Sequence, residues 1–242
     1  MKKILTSFLV FILIGTGTYV SDIWKEFKPS TETSGTEISD NKVNQNSENL
    51  ASLEFDGQHQ VVQVNDNHPK FTKEDLSLAN GNWQKFSNLD QLNRIGEANA
   101  MLHKSMMPTA EREALYINPT AWKNKKTESG WLYNRCHLIG YQLTGENNNP
   151  KNLMTGTRSL NTPGMLDFEN EVATYLRKTD NHVRYRITPI FRDNELLSRG
   201  VQMEAQSIED ATLQFNVYIF NVETGMLLNY KNGSSQVQKE EK

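Results

Sequence analysis

Residues 131–169 read WLYNRCHLIGYQLTGENNNPKNLMTGTRSLNTPGMLDFE, and the rest of the chain is organised around them. The stretch carries Arg135-Cys136-His137, then Asn152, Asn161 and Glu169, separated by turn-forming residues. Imidazole is the side chain whose unperturbed pKa lies near neutrality, so His137 suits general-base work. A hard cation such as Mg2+ takes oxygen ligands and keeps much of its water, so a few amide and carboxylate oxygens suffice to hold it. Arginine presents a fork that matches phosphate oxygens. These residue types form a minimal set for phosphodiester hydrolysis. In it, His137 takes a proton from water, Asn161 ligates a divalent cation, Glu169 orients a water on that cation, and Arg135 binds phosphate. Taken alone, Asn152 and Asn161 fit ordinary turn positions equally well.

Downstream, Pro163-Gly164 precedes Met165, Phe168, Val172, Tyr175 and Leu176, whose spacing predicts a helix over 165–178 with Glu169 and Glu171 off its apolar face. Val183, Tyr185 and Ile187 then alternate with Arg184, Arg186 and Thr188, as in a half-buried strand. Asp193-Asn194 reads as a hairpin turn into a strand over 196–204, with Gly200 a bulge candidate. Leu213, Phe215, Val217 and Ile219 alternate again, and Glu223-Thr224-Gly225 turns into a last short strand near 226–230. Upstream, 131–133, 98–102 and 60–64 are strand-like. Residues 108–112 read as a turn into a short helix, and Pro119 keeps 115–119 extended. This order predicts an α+β domain with a central antiparallel sheet flanked by helices.

The N-terminus differs in kind. Lys2-Lys3 followed by the apolar run 4–20 has the form of a signal peptide or membrane anchor over 1–22. Residues 23–50 are mostly polar and read as a disordered linker, because such a composition cannot offset the entropy of ordering. The folded domain is expected over 51–232, with a flexible tail at 233–242. This arrangement predicts an exported protein, either secreted or held at the outer face of the cell membrane by its N-terminal segment.

Twenty-six Lys and Arg against 29 Asp and Glu give a net charge of −3, so any phosphate-binding surface must be a local cluster. Cys136 is the one cysteine, which excludes an intramolecular disulfide and a CxxC metal site. His59, His68, His103 and His182 have no ligand-like spacing and are expected to be surface or locally paired. Arg158, Arg184 and Arg186 are candidates for a nucleic-acid groove, although strand arginines are more often simply solvated.

At Tyr133-Asn134-Arg135-Cys136-His137-Leu138-Ile139-Gly140, and again at 152–161 (NLMTGTRSLN), the sequence resembles the DNA/RNA non-specific endonucleases of ββα-metal, or His-Me finger, fold. It is similar to the bacterial branch that includes secreted and membrane-bound nucleases of Gram-positive bacteria, and the likeness extends from about Trp83 to Tyr230. The resemblance implies His137 as general base, Asn161 as direct metal ligand and Asn152 as a supporting amide near His137. Glu169 becomes the helix carboxylate near the metal's water shell, and Arg135 the motif arginine. It further implies Mg2+ (with Mn2+ as a substitute), DNA and RNA as substrates with little sequence preference, and products ending in a 5′-phosphate. Two positions depart from the family's Asp-Arg-Gly-His signature. Asn134 stands in place of the aspartate, and Cys136 in place of the glycine.

Two rival readings belong to other classes. One is a catalytically silent nucleic-acid-binding or host-interacting module on the same fold, against which the full His137, Asn161 and Glu169 set argues. The other is a cysteine-dependent hydrolase using Cys136. Neighbours on a strand point to opposite faces, which places Cys136 and His137 poorly as a pair.

Overall fold

The computed structural model describes residues 47–239 except Ser129; the expected signal or anchor and nearly all of the expected linker lie outside that range. Six strands form the principal sheet. They are β1 (Val61–Gln63), β2 (Trp83–Phe86), β3 (Ala98–Leu102), β8 (Val183–Ile190), β9 (Gly200–Ser207) and β10 (Gln214–Phe220). Their order across the sheet is β1-β10-β9-β8-β3-β2, and every neighbouring pair is antiparallel. Between β3 and β8 lie a short ribbon, a hairpin and the helices. The ribbon pairs β4 (Lys126–Thr127) with β5 (Gly130–Trp131), and the hairpin pairs β6 (Tyr133–His137) with β7 (Leu153–Thr157). The hairpin's connection contains the single turn α1 (Tyr141–Thr144), and α2 (Leu166–Lys178) follows β7 through an irregular turn at Leu160–Met165.

The expected helix is present, one residue shorter at its start. Phe168, Val172 and Leu176 recur on one face and are buried, with Ala173 beside them. They pack with Met165 against Ala100 of β3, Tyr185 of β8, Met203 of β9 and Val217 of β10 in one core cluster. Burying each large apolar side chain stabilises the fold by roughly 1.5–3 kcal/mol. Asp167 and Glu169 lie in the first turn and Arg177 and Lys178 in the last, which suits the helix dipole.

The alternation in β8 and β10 assigns the faces correctly, but the polar face of the sheet is not simply solvated. Arg184, Gln202, Glu204 and Asn216 are all buried. The segment between β1 and β2 lies over them: Lys70 N–H donates to Glu204 Oε1 (2.9 Å), and His68 O accepts from Asn216 Nδ2 (2.9 Å). Arg184 donates to Asn99 Oδ1 (2.5 Å), pairs with Asp75 (3.3 Å) and stacks on Phe71 and Trp83. Arg186 pairs with Glu204 at 2.7 Å. Neither arginine is simply solvated, and both are already committed to internal carboxylates.

Five other expectations are corrected. Residues 108–112 form no helix; the Tyr141 hydroxyl takes up the carbonyls of Ala110 (2.9 Å) and Glu111 (3.1 Å) that a helix would use. The strand expected over 196–204 begins at Gly200, after a longer connection than a two-residue hairpin turn at Asp193-Asn194. Gly200 is no bulge; it pairs regularly with Ile190 and Phe220, and a Cβ there would fall 2.6 Å from the Tyr218 hydroxyl. Part of the expected tail is β12 (Ser234–Val237), paired with β11 (Met226–Asn229). At the other end, the helical turn Ser47–Ser52 carries the buried Leu50 into a second cluster with Val64, Tyr218 and Phe220, so folded structure begins within the span assigned to the linker.

Candidate active site

A cleft of about 1020 Å³ opens where β6, α1 and the start of α2 meet. Arg135, His137, Asn161 and Glu169 all line it, so four of the five residues singled out in the sequence converge there. The fifth, Asn152, is fully buried beneath. Its Oδ1 accepts from Ile139 N–H (2.9 Å) and its Nδ2 donates to Ile139 O (3.0 Å), while its own carbonyl accepts from Leu138 N–H. Asn152 therefore splints the chain just after His137 and supports the histidine through the backbone.

His137 ends β6, opposite Leu153. Its Nε2 lies 2.7 Å from the carbonyl oxygen of Asn147. A carbonyl only accepts, so that nitrogen carries the proton and Nδ1 holds the lone pair. Arg112 Nη2 stands 3.5 Å from Nδ1. Burial pushes the imidazole pKa down to about 4, with the Arg112 charge adding to the effect and the Asn147 contact opposing it. His137 is therefore neutral at pH 7, in the tautomer a proton acceptor needs.

Glu169 sits in the first turn of α2, against the backbone of Gly140; a Cβ on Gly140 would fall 2.5 Å from Oε2. Burial raises the carboxyl pKa to about 8, against opposing contributions from the Gln142 amide and the Arg112 charge. A carboxyl in this state lacks a full cationic partner, and a divalent ion would supply one. Asn161 lies in the irregular turn before α2, where its Nδ2 donates to Thr162 Oγ1 (3.2 Å), so its amide oxygen is the atom that could ligate a cation. Among the described residues no group of three or more His, Cys, Asp or Glu is placed to bind a metal. The local donors are hard oxygens, a set that fits a largely hydrated Mg2+-like ion.

Arg135 has partners of its own. Its Nε donates to Ile117 O and its Nη2 to Asn118 Oδ1, both at 2.6 Å, and the guanidinium covers the Trp122 ring 4.6 Å from the centroid. This arrangement ties residues 117–122 to β6. The exposed arginine in the cleft is Arg112, which the sequence reading passed over as part of a short helix. Its loop is held by Tyr141, Asn147 and Asn148, the last accepting from Tyr116 N–H and donating to Ala114 O. The Asn-rich run 147–149 was the available signal, since side-chain amides are suited to holding an irregular segment.

Cys136 faces away from the cleft. It is fully buried beside Gly156, where a Cβ would fall 2.4 Å from its Sγ, and burial drives the thiol pKa far up. A thiol in this state is a poor nucleophile, which removes the basis for a cysteine hydrolase. The other histidines are locally paired: His59 with Asp56, His103 with Asp180 and His182 with Glu209, while His68 Nδ1 contacts Asp66 O.

The fold has solved relatives. NucA from Streptococcus agalactiae without metal superposes with a TM-score of 0.65 at 26% identity, over 72% of this chain and 86% of that one. The magnesium-bound form of NucA gives 0.65 at 24%, over 72% and 87%. Sda1 nuclease with bound zinc gives 0.58 at 27%, over 64% and 79%. An extracellular endonuclease at 22% identity shares the fold, with a TM-score of 0.56 over 70% and 95%. The hairpin β6–β7 followed by α2 is the ββα unit that the sequence resemblance implied. The DNA/RNA non-specific endonuclease family model matches residues 76–209, more than half of the chain. The chain belongs to the DNA/RNA non-specific endonuclease family and is a nuclease of ββα-metal fold, a hydrolase of phosphodiester bonds.

Proposed function

We propose that this nuclease is exported and depends on a divalent cation, with His137 as general base, Asn161 as metal ligand and Glu169 as the carboxylate beside the metal. The observation that carries the reading is the convergence of these three side chains on one cleft, with His137 neutral and its proton held on Nε2 by Asn147. His137 Nδ1 accepts a proton from water as the water oxygen attacks phosphorus. The bond from phosphorus to the 3′ oxygen breaks, and the new fragment carries a 5′-phosphate. Arg112 binds a non-bridging phosphate oxygen, because Arg135 is occupied by Ile117 and Asn118. The cation, when bound, supplies Lewis-acid polarisation of the phosphate and neutralises developing charge. Asn161 and Glu169 would hold it. Mg2+ is the first choice, with Mn2+ as a substitute; magnesium in NucA and zinc in Sda1 support a divalent ion in general.

DNA is the proposed substrate, with RNA cleaved as well. Incubating the purified protein with plasmid and with RNA, in Mg2+ and in EDTA, tests both statements. Cleavage undiminished by EDTA sinks metal dependence. Export rests on the basic-then-apolar start at 1–22 and is consistent with extracellular relatives. Cell fractionation with N-terminal sequencing tests it: cleaved protein in the medium means secretion, full-length protein in the membrane means anchoring, and full-length protein in the cytosol overturns export.

A further inference from the structure

Besides Glu169, the cleft presents Arg112, Lys123 and Arg135, and four aromatic side chains: Trp122, Trp131, Tyr133 and Tyr141. Three of the aromatics are spoken for. Trp122 lies under the Arg135 guanidinium, Tyr133 is buried with its hydroxyl donating to Gly233 O, and the Tyr141 hydroxyl donates to Ala110 O. Trp131 differs. It keeps 53% of its surface exposed, although an indole in a folded domain normally buries most of its area.

The ribbon beneath it accounts for this position. Gly130 has φ +118°, a conformation other residues rarely adopt. Trp131 pairs with Lys126 across the ribbon, and Lys126 Nζ stands over the indole, 5.6 Å from the centroid. The next residue, Leu132, turns the other way and is buried with Tyr133 and Leu197. The indole is thus displayed from the ribbon, with the Lys126 ammonium over its ring and Arg112, Lys123 and Arg135 lining the same cleft. Six residue steps separate Trp131 from His137, at most about 20 Å, which is within reach of one nucleic-acid strand crossing the cleft.

We propose that Trp131 is a base-stacking platform beside the catalytic centre, which makes nucleotides in single-stranded or locally unpaired DNA and RNA the favoured substrate of this nuclease. A duplex hides its base faces by stacking them on one another, whereas an unpaired base offers its face to an aromatic ring. Stacking tolerates any base, which is consistent with a nuclease of low sequence preference. Lys126 and Lys123 supply charge for the phosphates on either side of the stacked base. The proposal rests on this cleft being the nuclease site.

Two measurements test it and separate it from the catalytic reading. The first compares kcat/KM on one oligonucleotide sequence, single-stranded and as a duplex, for the wild type, Trp131→Ala and Trp131→Phe. The single-strand to duplex ratio is expected to fall roughly ten- to hundredfold in Trp131→Ala, mainly through KM, and to recover largely in Trp131→Phe. An unchanged ratio in Trp131→Ala overturns the proposal. The second measurement uses His137→Ala in EDTA, titrated with oligothymidine and followed by tryptophan emission. Quenching is expected, and it should disappear when Trp131→Phe is added to the same variant. Because Trp122 shares the cleft and can contribute residual signal, quenching that persists undiminished there overturns the platform. Should His137→Ala still cleave, the base assignment fails while the emission readout continues to decide the role of Trp131.

Discussion

Gly140 faces the Glu169 carboxyl in the cleft: a Cβ on residue 140 would fall 2.5 Å from Glu169 Oε2 and 3.0 Å from Oε1. The loop after His137 and the first turn of α2 therefore approach only because residue 140 lacks a side chain. Gly140→Ala is predicted to displace the carboxyl and lower kcat/KM about tenfold or more, with little change in melting temperature, since the displaced group is the end of a flexible side chain. Steady-state kinetics beside thermal unfolding checks this. Full activity in Gly140→Ala would show that the position of Glu169 does not matter.

His137→Ala is predicted to cut kcat/KM by about a hundredfold or more while the fold survives. The same residue governs acid stability. Its folded pKa, about 4, lies below the ordinary 6.5, so the unfolded chain binds the proton more readily. The stability it contributes is present above pH 6.5 and is lost as the pH falls through 4. Urea unfolding of wild type and His137→Gln at pH 7 and pH 4 should show the variant losing less stability, by up to ~3 kcal/mol. Parallel losses would place the acid sensitivity elsewhere.

Arg112 and Arg135 should separate by readout. Arg112 is exposed, so Arg112→Ala is predicted to lower turnover with no loss of stability. Arg135→Ala removes two hydrogen bonds and the cover over Trp122, so it should destabilise the protein by ~1–3 kcal/mol as well as reduce activity. Chemical denaturation of both variants decides between them. A destabilised Arg112→Ala or a fully stable Arg135→Ala would reverse the assignments.

Metal binding should release a proton near neutrality. Glu169, with its pKa raised to about 8, is largely protonated at pH 7, and a cation requires the ionised form. Calorimetric titration with Mg2+ in buffers of different ionisation enthalpy should show release approaching one proton at pH 7 and vanishing well above pH 8. Glu169→Gln should abolish the buffer dependence. Asn161→Ala should retain it while weakening Mg2+ binding, and raising Mg2+ should recover part of its activity. Unaltered affinity in Asn161→Ala would move the ligand role to another residue.

Much of the molecule could be read from local pattern. The apolar positions of α2 recur at the helical period, and those of β8 and β10 alternate, because each segment must turn one face to a common core. His137, Asn161 and Glu169 could be picked out because their motif spacing is itself local. What the tertiary structure decided depends on contacts between distant segments. Alternation alone placed Arg184 and Arg186 on the polar face, yet only the packing of the β1–β2 connection over that face gave them Asp75 and the Lys70 carbonyl as partners. Residues 108–112 look helical in isolation, but Tyr141, some thirty positions on, captures the Ala110 and Glu111 carbonyls, Asn147 captures that of Glu113, and Arg112 comes to lie beside His137. The sequence alone singled out most of the groups proposed to do the chemistry. Their protonation states, and which arginine and which tryptophan stand exposed in the cleft, follow from burial and long-range hydrogen bonds that no local pattern encodes.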